Sequence, residues 1–160
     1  MKRNGMIMAL LLSLCMLQAN AAAVLREFER DSLAQIVASQ QRQPFLLIVW
    51  SLDCEFCQRS LEAVAQQKKR HPGFRVITLS TDSIDDEPTA ALIAARLKAL
   101  GLTTSAWAFG SQPPEQLRYA LDKNWHGEMP RSYWFDANGK ATPRSGVLTS
   151  KDLELMAGNK

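Results

Sequence analysis

The chain has 160 residues, 46% hydrophobic and 22% charged, which suits one globular domain with a real core and excludes a disordered or low-complexity protein. Its formal net charge is +3, and loss of Lys2 and Arg3 with the N-terminal segment would take two of the 19 basic residues and leave 17 against 16 acids. That balance argues against a dedicated nucleic-acid or anionic-membrane binder, which would carry a one-sided basic surplus.

Residues 1–23 read as a targeting segment and not as part of the fold. Lys2 and Arg3 precede an apolar run from Met6 to Leu17, and Ala19-Asn20-Ala21 and Ala21-Ala22-Ala23 are small-x-small cleavage sites. This is the layout of a secretory signal peptide. The run is shorter than the ~20 apolar residues of a spanning helix, and an uncleaved anchor is the competing reading. Cys15 follows the bulky Leu14, which speaks against lipidation. A domain over residues 24–160 is expected, exported to the periplasm, with membrane contact only if the leader is retained.

From Val24 to Gln41, Ser32 and Gln35 fit a capping box and Leu33, Ile36 and Val37 give one helical face. Phe45-Leu-Leu-Ile-Val-Trp50 is a continuous apolar run, as in a strand buried on both faces. Cys57, Leu61 and Val64 then recur at helical spacing to about Lys69, and Pro72-Gly73 breaks the chain. Phe74–Ser80 is a second strand, so strand, helix and strand make a parallel βαβ unit. A polar loop follows over Asp82–Glu87, then a helix over Thr89–Leu100 closed by Gly101, and a short strand over Thr104–Phe109. Pro113-Pro114 starts a helix to about Lys123, and a loop covers Asn124–Pro130. Ser132–Phe135 and Lys140–Val147 form a hairpin across Asn138-Gly139, and Thr149 and Asp152 cap a last helix. The one basic run, Lys68-Lys69-Arg70-His71, falls at a helix C-terminus, where cations are favoured.

Once the leader is removed, two cysteines remain, Cys54 and Cys57, spaced C-x-x-C. A staple across two intervening residues constrains little of the unfolded chain, so the spacing favours redox work. Cys54 falls where a buried strand ends and a helix begins, and unpaired N–H groups with the helix dipole stabilise a thiolate there. Cys57, three residues on, lies on the same helical face. Cys54 is the expected attacking thiol and Cys57 the resolving one. A zinc site needs two further ligands; with only His71 and His126 available, no metal is expected. Asp53 and Glu55 flank Cys54, and negative charge there raises a thiol pKa, which favours a reductant over an oxidant. Both are also acids at a helix start, where the dipole favours them anyway.

Three features carry a resemblance. Trp50 stands four residues before the first cysteine, a helix and strand over Thr89–Phe109 follow the βαβ unit, and Gly127-Glu-Met-Pro130 precedes Tyr-Trp-Phe-Asp-Ala-Asn-Gly139. From Phe45 to Leu155 the chain resembles the thioredoxin-fold family and is most similar to TlpA-like periplasmic thiol–disulfide oxidoreductases. The resemblance implies an α/β thioredoxin-like fold, a central mixed β-sheet flanked by helices, with a TlpA-like inserted helix and strand. It implies that Pro130 is a cis-proline facing the cysteines, with the Met129 backbone open to an extended substrate. Trp50, by its position beside the motif, either shapes the active-site surface or fills space. It also implies a monomer that acts on protein disulfides or dithiols and is recharged by an upstream thiol donor, without organic cofactor or nucleic acid. The departures are Asp53 in place of a tryptophan, Ile48 in place of the buried acid and Thr78 in place of a lysine, which leave no evident acid–base helper for Cys57. Asp82 and Glu128 are the unplaced carboxylates. The rival class is a non-catalytic binding module or a copper chaperone using Met129 and both thiolates.

Overall fold

A computed structural model describes residues 25–158; the targeting segment expected over residues 1–23 lies outside them. Eleven elements follow in chain order: β1 (Arg26–Phe28), α1 (Ser32–Ser39), β2 (Phe45–Trp50), α2 (Glu55–Arg70), β3 (Val76–Ser83), α3 (Glu87–Leu100), β4 (Ala106–Phe109), α4 (Pro114–Leu121), β5 (Arg131–Phe135), β6 (Ala141–Ser145) and α5 (Ser150–Gly158). The strands form one sheet in the order β1-β4-β3-β2-β5-β6. β1, β4, β3 and β2 are mutually parallel, β5 runs antiparallel to β2, and β6 runs antiparallel to β5.

Alternation along β2 builds the two cores. Leu46, Ile48 and Trp50 face Cys57, Leu61 and Val64 of α2, Ile93 and Leu97 of α3, and Leu153 of α5. Phe45, Leu47 and Val49 face Ile36 of α1, Leu117 and Leu121 of α4, and Tyr133 and Phe135 of β5. All six β2 residues are buried, and each large apolar side chain removed from water contributes about 1.5–3 kcal/mol. β2 is thus the spine of a three-layer α/β/α sandwich, and the rigid end of that spine holds the cysteines.

The expected fold class is observed, including the helix and strand between the βαβ unit and the hairpin. Three local expectations are corrected. The N-terminal segment contributes a strand, β1, as well as a helix. Ser32 is the first residue of α1 and not its cap: its hydroxyl accepts the Glu29 N–H at 2.9 Å. The hairpin does not turn on a two-residue Asn138-Gly139 loop. Gly139 has a φ of 78° while Asn138 has none above zero, and the Gly139 N–H donates to Asp136 O at 3.0 Å. This is the geometry of a type I turn closed by a left-handed glycine. The C-cap at Gly101, with φ 68°, and the reciprocal Thr149–Asp152 cap are formed as expected.

Both sheet edges are blunted. β1 has three residues, and β6 is exposed throughout and carries Pro143, which has no N–H to donate.

Candidate active site

Cys54 is the N-cap of α2, with φ −90° and ψ 98°, and its Sγ accepts the Cys57 N–H at 3.1 Å. The sulfurs are joined at 2.08 Å. Cys57 is fully buried in the α2-side core, whereas Cys54 is half-buried. The two sulfurs therefore differ in access: an incoming group reaches Cys54, and Cys57 waits behind it.

The turn before Cys54 is held from two sides. The Leu52 N–H donates to Asp82 Oδ2 at 2.8 Å, and that oxygen also accepts Ser80 Oγ at 2.7 Å. Asp82 reaches this point because the β3–β4 register shifts between Ser80 and Ser83, a bulge that re-aims a side chain. From α2, Gln58 Nε2 donates to Ser51 O at 3.2 Å, and Arg96 of α3 fixes Gln58 through Oε1 at 2.7 Å. The inserted helix thus braces the strand-to-helix turn. Glu55 is held by Arg59 at 2.8 Å, and Asp53 is exposed.

The Met129–Pro130 peptide is cis. The β2–β5 register, Val49 opposite Arg131, sets Pro130 beside Trp50, at the end of β2 from which Cys54 emerges. Met129 is partly buried against the cluster that contains both cysteines. Among the described residues, no turn, loop or cap hydrogen bond uses its main chain.

Polar contacts fix the flanks of this segment. Arg131, whose side chain is 11% exposed, donates to Asp122 at 2.9 Å and Glu128 at 2.9 Å, and to Ser145 Oγ at 2.7 Å. Tyr133 OH donates to Asp122 at 3.2 Å, and Trp125 Nε1 donates to Glu128 O at 2.9 Å. Burial alone would raise the Asp122 pKa, but hydrogen bonds from Asn124, Arg131 and Tyr133 outweigh it and hold the carboxyl below its usual range. The Ser145 hydroxyl, helped by Arg131, lowers Glu128, and burial pushes the Tyr133 phenol well up.

Among the described residues, the buried polar side chains are hydroxyls and amides, with no carboxylate or amine. Ile48 and Thr78 are register partners. Thr78 Oγ1 and Trp50 Nε1 are buried without a hydrogen-bond partner. Of the two unplaced carboxylates, Asp82 braces the turn before Cys54, and Glu128 braces the segment before Pro130. Sequence reasoning missed Gln58, Arg96, Asp122 and Arg131; no local pattern marks them, because their partners lie on other elements. His71 and His126 join no ligand set, since no group of three or more His, Cys, Asp or Glu side chains is gathered among the described residues.

No protein-family model and no curated protein matches the chain. Solved structures do match. A thioredoxin-family thiol:disulfide interchange protein from Chlorobium tepidum aligns with a TM-score of 0.56 at 18% identity, over 74% of this chain and 80% of that one. A secreted Mycobacterium tuberculosis disulfide oxidoreductase, homologous to E. coli DsbE, gives 0.54 at 16%, over 77% and 86%. StoA from Bacillus subtilis gives 0.52 at 19%, over 73% and 84%. With the sheet order, the C-x-x-C at the end of β2 and the cis-proline beside it, these likenesses establish that the chain has the thioredoxin fold.

Proposed function

We propose that the protein is a thiol–disulfide oxidoreductase that reduces protein disulfides outside the cytoplasm. The observation that carries this is the inequality of the sulfurs: Cys54 is accessible and capped by a helix N–H, and Cys57 is buried one turn behind it. The reduced Cys54 thiolate attacks one sulfur of a substrate disulfide, forming a mixed disulfide and releasing the other sulfur as a thiolate. The Cys57 thiolate then attacks Cys54 Sγ and releases the second substrate thiolate. Two electrons pass to the substrate, and the pair ends as the Cys54–Cys57 disulfide. An upstream dithiol reverses the sequence and recharges it.

Of the supporting residues Trp50, Met129 and Pro130, only Met129 is partly exposed; Trp50 and Pro130 are buried, so Trp50 packs under the site and does not shape its surface. The Met129 main chain offers pairing groups to an extended substrate segment. Like the neighbour described as secreted, this chain would work outside the cytoplasm, in the periplasm, a reading that its N-terminal run supports. The reducing direction rests on the acids beside Cys54. Arg59 offsets Glu55, so Asp53 carries most of that effect. The test is insulin reduction by dithiothreitol: the wild type accelerates it and Cys54→Ser does not. An inactive wild type that binds Cu(I) tightly would favour the chaperone instead.

A further inference from the structure

We propose that the end of the molecule opposite the cysteines is a docking surface for anionic phospholipid headgroups, which holds the thiol pair facing away from the membrane. It is independent of the thiol chemistry, because it rests on where charge lies.

The parallel strands β4, β3 and β2 end on the side of Cys54, so their starts define the opposite pole, and α2 and α3 run back to it. Six cations gather there: Arg26 at the start of β1, Lys68, Lys69 and Arg70 in the last turn of α2, Arg75 before β3, and Lys98 in the last turn of α3. All but Lys68 are exposed. The acids at this end are Glu154, 4.0 Å from Arg70, and Asp136, which accepts the Lys140 main-chain N–H at 2.9 Å, while Arg42 donates to nearby Asn138 at 3.3 Å. Helix dipoles account for the cations of α2 and α3, but Arg26 and Arg75 end no helix. They nonetheless line one groove with Lys68, Arg26 lying over the Trp107 ring at 5.5 Å and Arg75 donating to Gln40 at 3.3 Å.

The cysteine pole is acidic on balance. Asp53, Glu55, Asp85, Asp86 and Glu87 are exposed there with Arg59 on Glu55, and Arg30, Arg144 and Lys151 at the same end are matched by Glu29, Asp31 and Asp152. The near-neutral total, which by composition spoke against an anionic surface, hides this separation, and a molecule charged oppositely at its two ends orients in a negative field. Two observations favour lipid over nucleic acid. In the competing reading, with the leader retained, the apolar run Met6–Leu17 precedes Arg26 in the chain, and Arg26 stands at the basic pole. Stacking platforms for bases are not beside the cations: the large exposed aromatic side chains among the described residues, Phe56 and Tyr119, lie on other surfaces.

The test is sedimentation of the full chain with vesicles of phosphatidylcholine alone or mixed with phosphatidylglycerol. Clusters of four to eight basic residues near an anionic surface gain roughly 1 kcal/mol each, about fivefold. The wild type should favour the mixed vesicles. Raising salt from about 0.1 M to about 1 M, which cuts the screening length from about 10 to about 3 Å, should erase the preference. K68Q/K69Q/R70Q/R75Q should lower it by up to several hundredfold, and R26Q/R75Q, which spares both helix ends, by up to about thirtyfold. R30Q/R118Q/K123Q/K151Q, which removes four cations elsewhere, should leave it in place. Equal partitioning onto both vesicles, equal loss in the two quadruple variants, or binding to heparin without binding to vesicles would overturn the proposal.

Discussion

Arg131→Met tests whether the polar network beside Pro130 holds the site together. Methionine keeps the aliphatic stem and removes the guanidinium. Glu128, whose side chain is 45% exposed, can turn to water, so its loss contributes little. Asp122 is different: its side chain is 16% exposed, and it would keep only the Tyr133 and Asn124 donors for a half-buried negative charge. Losing charge-assisted bonds to such a group costs about 2–3 kcal/mol. For a domain of this size each kcal/mol shifts the melting temperature by about 3–5 °C. The double variant R131M/D122N should lose less than the sum of the single losses, by about 1 kcal/mol or more, because the neutral amide leaves no stranded charge. Urea unfolding of the oxidised protein, followed by the fluorescence of its four tryptophans, measures all three variants. Stability within about 0.5 kcal/mol of wild type for R131M, which is ordinary surface behaviour, or strict additivity in the pair, would refute this reasoning.

Thr78→Val should stabilise the fold by about 1–2 kcal/mol, since the Thr78 hydroxyl is buried without a partner. It should also leave the pH profile of insulin reduction unchanged; a shifted profile would assign Thr78 to proton transfer at Cys57. Asp122, Glu128 and Asp152 titrate below their ordinary range in the folded protein, so the native state binds fewer protons than the unfolded chain. Their stabilisation is present above the ordinary carboxylate pKa of about 4 and is lost as pH falls through the folded values. The urea midpoint should fall steeply below about pH 4, and D122N/D152N should flatten that fall; an unchanged slope would contradict it. Equilibration with glutathione should place the Cys54–Cys57 potential nearer the about −270 mV of thioredoxin than the about −120 mV of DsbA. A value above about −170 mV, between those references, would mark the protein as an oxidant.

The parts legible in the sequence were those whose signal is local. Phe45–Trp50 was a strand by its unbroken apolar run, and the structure gives it those bounds. The C-x-x-C, the Gly101 cap and the Thr149–Asp152 box each lie within four residues. β1 was invisible because three residues, two of them exposed, carry no periodicity. Asp82 could not be placed because it reaches Leu52 only through a bulge in β3, and Arg131 because its partners come from the end-cap of α4, the following loop and β6. The separation of charge between the two poles was hidden for the same reason: Arg26 is far in the chain from Lys68 and Arg75 and meets them only when parallel strands line up their starts.

The most direct test of disulfide exchange through Cys54 is mass spectrometry of single-cysteine variants after mixing with a disulfide-containing peptide. Attack by the accessible sulfur predicts that Cys57→Ser accumulates a mixed disulfide on Cys54 and that Cys54→Ser accumulates none. Adducts forming equally on both variants, or on neither, would contradict it.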